Sequence, residues 1–230
     1  MSFQHSTDMW SDFPELAAGV LHVEGIHRGV SVEAHITRFE ALARVRLAGG
    51  AEGDLPEIQA WRRAFSRMGL KPTQYRSASE ALLRRFRKEG TLPKIHPLID
   101  LCNAASLAYA VPVAVFDLAR VAGDLKVRPA FGDEIYTTFS GNVELPEPQE
   151  VIFVDASGRA HARRWTNRQS GYSAVRDETA RVLIVAEALH AGAEADVRRL
   201  VDELDTAIRA IWSVTPRTAI LTGSAPRFDF

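Results

Sequence analysis

The run PLIDLCNAASLAYAVPVAVFD, Pro97 to Asp117, decides the fold. Pro97 suits the first turn of a helix, where its missing N–H has no intrahelical partner to lose. Leu98 to Tyr109 then carries the long apolar run of a buried helix, and Pro112 breaks it. Val113 to Phe116 is apolar without alternation, which predicts a strand covered on both faces. The longer stretch Ala104 to Gly123 is apolar enough to consider for a membrane. Pro112, Asp117 and Arg120 interrupt it, a load that a spanning helix rarely carries, so a buried helix leading into a buried strand is expected in a soluble chain.

Upstream, Val20 to Ile26 (VLHVEGI) alternates as a strand. Ser31 reads as the N-cap of a helix with Glu33 in its first turn and Val32, Ile36, Phe39, Leu42, Ala43 and Leu47 on one face; Gly49-Gly50 ends it. Leu55 to Met68 is a second helix closed by Gly69. A third starts near Ser77 or Ser79, turns Ala81, Leu82 and Phe86 inward, and stops at Gly90. Downstream, Asp124 to Trp165 changes to short strands and turns. Within it Val151 to Val154 and Ala160 to Trp165 flank Asp155-Ala156-Ser157-Gly158 as a hairpin, and Val143 to Glu150, with two prolines, reads as a loop. Arg181 to Leu189 is another buried strand. Ala193 to Trp212 is the longest helix, with Val197, Leu200, Val201, Leu204, Ile208 and Ile211 on one stripe. Helices, then strands, then a helix describe an α+β fold: a single domain, 1–230, with a mixed β core flanked by helices.

Composition removes several classes. The 230 residues are 46% hydrophobic with 15 Gly and 11 Pro, so disordered, collagenous and disulfide-stapled chains are excluded. Basic and acidic residues number 28 and 29, which argues against a globally basic nucleic-acid binder and leaves room for a local patch. The lone Cys102 forms no internal disulfide or cysteine-rich zinc site, sits among apolar neighbours as an inert thiol, and suits a reducing cytoplasm. The amino-terminal residues lack the pattern of a secretory signal. None of the seven histidines has HExxH or comparable ligand spacing, so neither a metal nor a cofactor is expected. Gly49 to Gly53 lacks the Lys-Ser/Thr of a phosphate loop, and there is no GxSxG elbow.

The remaining signals are less conventional. Arg84-Arg85-Phe86-Arg87-Lys88 packs four cations into five residues, and Arg159, Arg163, Arg164 and Arg168 surround Trp165 and His161. Such clusters suit a polyanion with stackable bases; they equally suit a solvated helix face and a charged hairpin edge. Asn103 and Asp117 are polar residues in apolar runs, each needing a hydrogen bond, whether to a ligand or to loop backbone. Arg164 to Ser170 places seven side chains with hydrogen-bonding capacity beside Gly171, more than a plain connection requires.

Seven segments in this order carry a resemblance: YRSASEALLRR (Tyr75 to Arg85), LPKIHPLIDLCN (Leu92 to Asn103), VPVAVFD (Val111 to Asp117), Arg128-Pro129-Ala130 with Gly132 and Glu134, EVIFVD (Glu150 to Asp155), RWTNRQS (Arg164 to Ser170), and Ser173-Ala174-Val175 with Thr179. Together they resemble the editing domain, or B3/B4 domain, of the beta subunit of bacterial phenylalanyl-tRNA synthetase in free-standing form. The resemblance covers about residues 20–190; residues 1–19 and 213–230 lie outside it.

In the synthetase that domain hydrolyses tyrosine wrongly attached to the phenylalanine tRNA, so the resemblance implies a trans-acting deacylase of a mischarged aminoacyl-tRNA. Ala114 stands where the synthetase family has a histidine, and RWTNRQS replaces the glycine-rich segment that shapes the tyrosine pocket; the amino acid therefore does not carry over. An aminoacyl ester is already activated, so a placed water, oxyanion donors and a selective pocket suffice. The expected catalytic group is Asn103, Arg168 and Gln169. Ala114, Phe116, Asp117, Trp165, Asn167 and Ser170 are expected to contact the amino-acid moiety, and Arg84, Arg85, Arg163 and Arg164 the tRNA phosphates. Asp117 has a structural alternative, bracing the end of its strand. A non-catalytic tRNA- or amino-acid-binding module is the alternative for the whole chain.

Overall fold

The computed structural model describes all 230 residues, Met1–Phe230. In chain order the elements are β1 (Ser2–His5), α1 (Thr7–Asp12), β2 (Ala17–Glu24), α2 (Glu33–Ala48), α3 (Pro56–Arg67), α4 (Ala78–Glu89), α5 (Pro97–Tyr109), β3 (Val113–Asp117), β4 (Leu125–Pro129), β5 (Ile135–Thr137), β6 (Val143–Glu144), β7 (Val151–Asp155), β8 (Arg159–Arg163), β9 (Arg168–Gln169), β10 (Arg181–Ala188), α6 (Ala193–Trp212), β11 (Arg217–Leu221) and β12 (Arg227–Asp229). The strands make two sheets. One is mixed and eight-stranded, ordered β12-β1-β4-β7-β8-β5-β6, with β9 also on β8; the other is four-stranded and antiparallel, ordered β11-β2-β10-β3.

The apolar run of β10 has a direct cause. Val182, Ile184, Ala186 and Ala188 enter a core of 26 residues shared with α2, α5 and α6, whereas Leu183 and Val185 enter one of 23 residues lying between the sheets. β2 divides likewise, with Leu21 and Val23 in the first core and Ala18 and Val20 in the second. Successive side chains point to opposite faces, and here both faces are covered. Along α6, Val197, Leu200, Val201, Leu204 and Ile208 are buried as the stripe predicts, each contributing about 1.5–3 kcal/mol of apolar burial. Gly19 lets α6 approach β2, since a Cβ there would overlap Val197 and Val201.

Local signals place α3, α4, α5, β3, β7 and β8, although on α4 it is Leu83 that turns inward with Phe86, while the expected Ala81 is exposed and Leu82 only half-buried. Ser77 caps α4 by accepting from Glu80 N at 3.3 Å, and Gly90 ends it with φ 77°. Other boundaries change. Ser31 caps nothing: α2 starts at Glu33 behind Val32, and Leu42, expected inside, is 46% exposed. Phe39 and Ala43 alone are fully buried along α2, because that helix covers α5 with a narrow stripe. The expected 143–150 loop contains β6. Both ends of the chain, which lie outside the resemblance, supply strands: β1 pairs in parallel with β4 and antiparallel with β12.

Candidate ligand-binding cleft

A cleft of about 60 Å³ opens where the two sheets part. That is room for a few waters. Pro112, Val113 and Ala114 form one side, Phe153 and Ala162 the mixed-sheet side, Trp165 to Gln169 the mouth, and Val185 and Glu187 of β10 the far wall, with Ala78 of α4 beside them.

The mouth is a shaped segment. Arg164 and Trp165 both have positive φ, 48° and 56°, which costs a non-glycine residue about 1–3 kcal/mol. The surroundings offset that strain. Arg164 N donates to Glu150 Oε1 at 3.0 Å and Trp165 N to Val151 O at 2.7 Å. The Trp165 ring is fully buried, edge-on to Trp61 at 4.9 Å and Phe13 at 4.8 Å. Asn167 Nδ2 donates to Arg76 O at 2.7 Å, and Ala78 N donates to Thr166 O at 2.8 Å, which ties the segment to the start of α4. Gln169 Nε2 donates to Val115 O at 2.6 Å, on the free edge of β3. Arg168 grips Glu144 with two nitrogens, at 2.9 and 3.1 Å.

Ala114, Trp165, Asn167, Arg168 and Gln169 therefore meet as expected. Four expected residues take other places. Asn103 sits on α5, which covers the outer face of the four-stranded sheet, and lines a separate cavity with Glu33, Glu40 and Asp100. Phe116 is fully buried between the sheets, 5.2 Å from the Phe153 ring. Asp117 is buried and braces the end of β3, accepting from Ala119 N at 3.0 Å and Thr179 Oγ1 at 2.9 Å. Ser170 is buried and donates to Thr137 O at 2.7 Å.

The basic clusters divide as well. Arg84 and Arg85 are exposed on α4, Arg85 paired with Glu89 at 2.8 Å, and Arg164 lies over the Tyr75 ring at 4.7 Å. Arg163 is 4% exposed and cannot face solvent phosphates: Nε and Nη2 hold Glu150 at 2.8 and 2.7 Å, and Nη1 holds Glu144 at 2.8 Å. Burial works against the Glu150 charge, but the Arg163 bonds and charge outweigh it and keep the carboxyl below the usual glutamate range.

Glu187 escaped the sequence reading, although a lone charge in VLIVAEA was a signal of the kind that marked Asp117. Its side chain is 2% exposed, and Oε1 accepts from His5 Nε2 at 2.6 Å and Trp165 Nε1 at 2.8 Å. A Ser173–His161–Asp155 chain is also present, at 2.8 and 3.1 Å, but all three residues are buried away from the cleft. Asp155 serves the hairpin instead, accepting from Ala122 N, Ser157 N and Arg159 N. Glu57, His190 and Asp196 converge within 4.8 Å of one another, yet Arg46 already pairs with Glu57 and Arg199 with Asp196. That cluster lacks the net negative charge that would draw a divalent cation. No helix is long and apolar enough to cross a membrane.

Comparison with known proteins places these observations. Phenylalanine–tRNA ligase beta subunits are similar over part of the chain: that of Shewanella oneidensis is 29% identical over 105 residues, 45% of this chain and 13% of that protein. The Legionella pneumophila subunit is 31% identical over 74 residues, 32% of this chain and 8% of that protein. The match thus spans a small part of the curated relatives' length. An N-terminal fragment of the phenylalanyl-tRNA synthetase beta-subunit from Pyrococcus horikoshii shares the fold, with a TM-score of 0.51, 9% identity, and coverage of 94% of this chain and 50% of that one. The family model described as the B3/4 domain matches residues 60–206, more than half of the chain, and takes in the cleft-lining residues from Ala78 to Glu187. The chain belongs to the B3/4 domain family.

Proposed function

We propose that the chain is a hydrolase acting in trans on a mischarged aminoacyl-tRNA, with the amino-acid ester held in the cleft between the sheets. The observation that carries this reading is the meeting of Arg168, Gln169 and Glu187 around one small cleft inside the family segment. The relatives are named as tRNA ligase subunits, which supports tRNA as the partner.

A water attacks the ester carbonyl, the oxygen becomes an oxyanion, and the bond to the terminal ribose breaks. The leaving ribose oxygen takes up one proton of the attacking water and becomes the terminal hydroxyl, and the amino acid departs as its carboxylate while the second proton passes to solvent. Two of the five guanidinium N–H donors of Arg168 point to Glu144, which leaves others for the oxyanion. Gln169 fixes one amide proton on Val115 and keeps its carbonyl oxygen and second proton to orient water or substrate. Arg84, Arg85 and Arg164 hold phosphates, so binding weakens steeply with salt.

A non-catalytic tRNA- or amino-acid-binding module is the second reading, favoured by the existing bonds of Arg168 and Gln169. Deacylation of a panel of mischarged tRNAs by the purified chain, beside Arg168→Ala, separates the two. Release of one amino acid, lost in the variant, supports the hydrolase. A flat panel with salt-sensitive tRNA binding supports the module, and full activity in Arg168→Ala removes Arg168 from the mechanism.

A further inference from the structure

Glu187 differs from the other buried glutamates. Glu52, Glu57, Glu80 and Glu134 are each under a tenth exposed, and each meets an arginine: Arg87, Arg46, Arg62 and Arg128. Glu187 is as deeply buried and meets none. A buried carboxylate needs donors in place of water. Two supply them, His5 Nε2 and Trp165 Nε1, and both converge on Oε1. The two lone pairs of Oε1 are thereby filled. Oε2 has no hydrogen bond within the chain, and Glu187 lines the cleft.

The shorter of the two bonds comes from outside the family segment. His5 ends β1, which is held between β4 and β12 and precedes residues 60–206. Phe3 and Trp10 meet its ring edge-on at 5.3 and 5.0 Å, and Nδ1 is sealed with no partner. With no acceptor at Nδ1, the geometry puts the ring proton on Nε2, as the donor to Glu187. We propose that His5 is a positioning residue of the cleft: it holds the Glu187 carboxylate in one orientation, with Oε1 saturated and Oε2 turned to the ligand. The proposal rests on the cleft being the site of ester hydrolysis. It gives the amino-terminal strand a part in a site whose lining otherwise comes from the family segment.

The test compares the wild-type chain, Glu187→Gln, His5→Leu and His5→Gln on the mischarged-tRNA panel, with tRNA affinity and thermal unfolding measured in parallel. His5→Leu keeps bulk and removes the donor; kcat/KM is expected to fall about tenfold to a hundredfold, the effect of one hydrogen bond to a buried charge. His5→Gln carries an amide donor and is expected to recover activity to within a few-fold. Affinity for uncharged tRNA stays unchanged in both His5 variants. The Trp165 indole N–H resonance, which shares Oε1, moves in His5→Leu and in Glu187→Gln. If the wild type acts and Glu187→Gln is impaired while both His5 variants keep wild-type kinetics, the positioning role falls and the cleft reading stands. A loss in His5→Leu that His5→Gln fails to recover makes His5 a packing residue and overturns the proposal. If the wild type releases no amino acid from any tRNA, the cleft reading fails and carries the proposal with it.

Discussion

Arg163→Ala is expected to act on stability and to leave RNA binding intact. The Arg163 side chain is 5% exposed and holds Glu150, also 5% exposed, through two nitrogens. Removing the arginine leaves Glu150 with backbone donors and the nearby Arg164 charge but no cation bonded to it. Breaking a buried pair in this way costs about 3–5 kcal/mol. For a chain of this size each kcal/mol moves the melting temperature by about 2–4 °C, so a drop of about 6–20 °C follows. The pH dependence carries a sign. In the folded wild type the Glu150 carboxyl titrates below its ordinary value, because the Arg163 bonds outweigh the burial that opposes its charge. A depressed carboxyl contributes stability above its unfolded pKa and loses it as pH falls through the folded one. The gap between wild type and Arg163→Ala is therefore widest near neutral pH and narrows on acidification, where the variant's Glu150 takes up a proton. Urea unfolding at several pH values measures it. Adding Glu150→Leu to Arg163→Leu recovers part of the loss, since no unpaired charge then remains. A loss under about 1 kcal/mol with weakened tRNA binding would refute the reasoning and return Arg163 to the RNA-facing group.

Cys102 is fully buried and its thiol is pushed up to about 12 by burial, so a thiol reagent at pH 8 is expected to react only once denaturant opens the chain; rapid native labelling would contradict the packing of α5. Gly171→Ala places a Cβ 2.7 Å from Phe139 Cα and Thr138 O, backbone that cannot rotate away, and is expected to cost about 1–3 kcal/mol in urea unfolding, whereas Gly69→Ala meets no atom within 4 Å and loses only to its φ of 75°. Asp155→Asn keeps one acceptor oxygen for the Ser157 and Arg159 N–H groups of the β7–β8 turn and sets an amide donor against Ala122 N and His161, for about 2–3 kcal/mol. Burial raises the Asp155 pKa, but His161, Ala122 N, Ser157 and Arg159 N together outweigh it and hold the carboxyl well below the ordinary aspartate range, so its contribution is lost as pH falls below that range; melting curves extended from pH 7 to about 2 are expected to show that acid loss in the wild type and little of it in the variant.

Much of the cleft was legible. RWTNRQS drew attention because too many hydrogen-bonding side chains stand in one turn, and Trp165 to Gln169 do form the mouth. Ala114 was legible through the resemblance, as the position where the synthetase family carries a histidine. Asn103 and Phe116 were not: periodicity tells that a residue is buried but neither which covered sheet face it serves nor how deep it lies, and α5 lies on the face away from the cleft while Phe116 is packed fully between the sheets. Arg163 looked like its exposed neighbours because composition does not reveal that Glu144 and Glu150, from distant segments, close over it. His5 and Glu187 were beyond reach as a pair, lying 182 positions apart along the chain.

By itself the sequence determined the helices and strands whose signals are local: a serine cap at Ser77 or Ser79, the stop at Gly90, the α6 stripe, the hairpin around Asp155 to Gly158, and the buried runs of β3 and β10. These follow from side-chain period and backbone preference, which act over a few residues. Tertiary structure alone decided that the strands form two sheets, that both chain ends add strands, and that the cleft opens at the parting of the sheets with an arginine-free carboxylate in its wall. Those outcomes depend on which apolar faces cover one another and which buried charges find partners, and such pairings join residues that lie far apart along the chain.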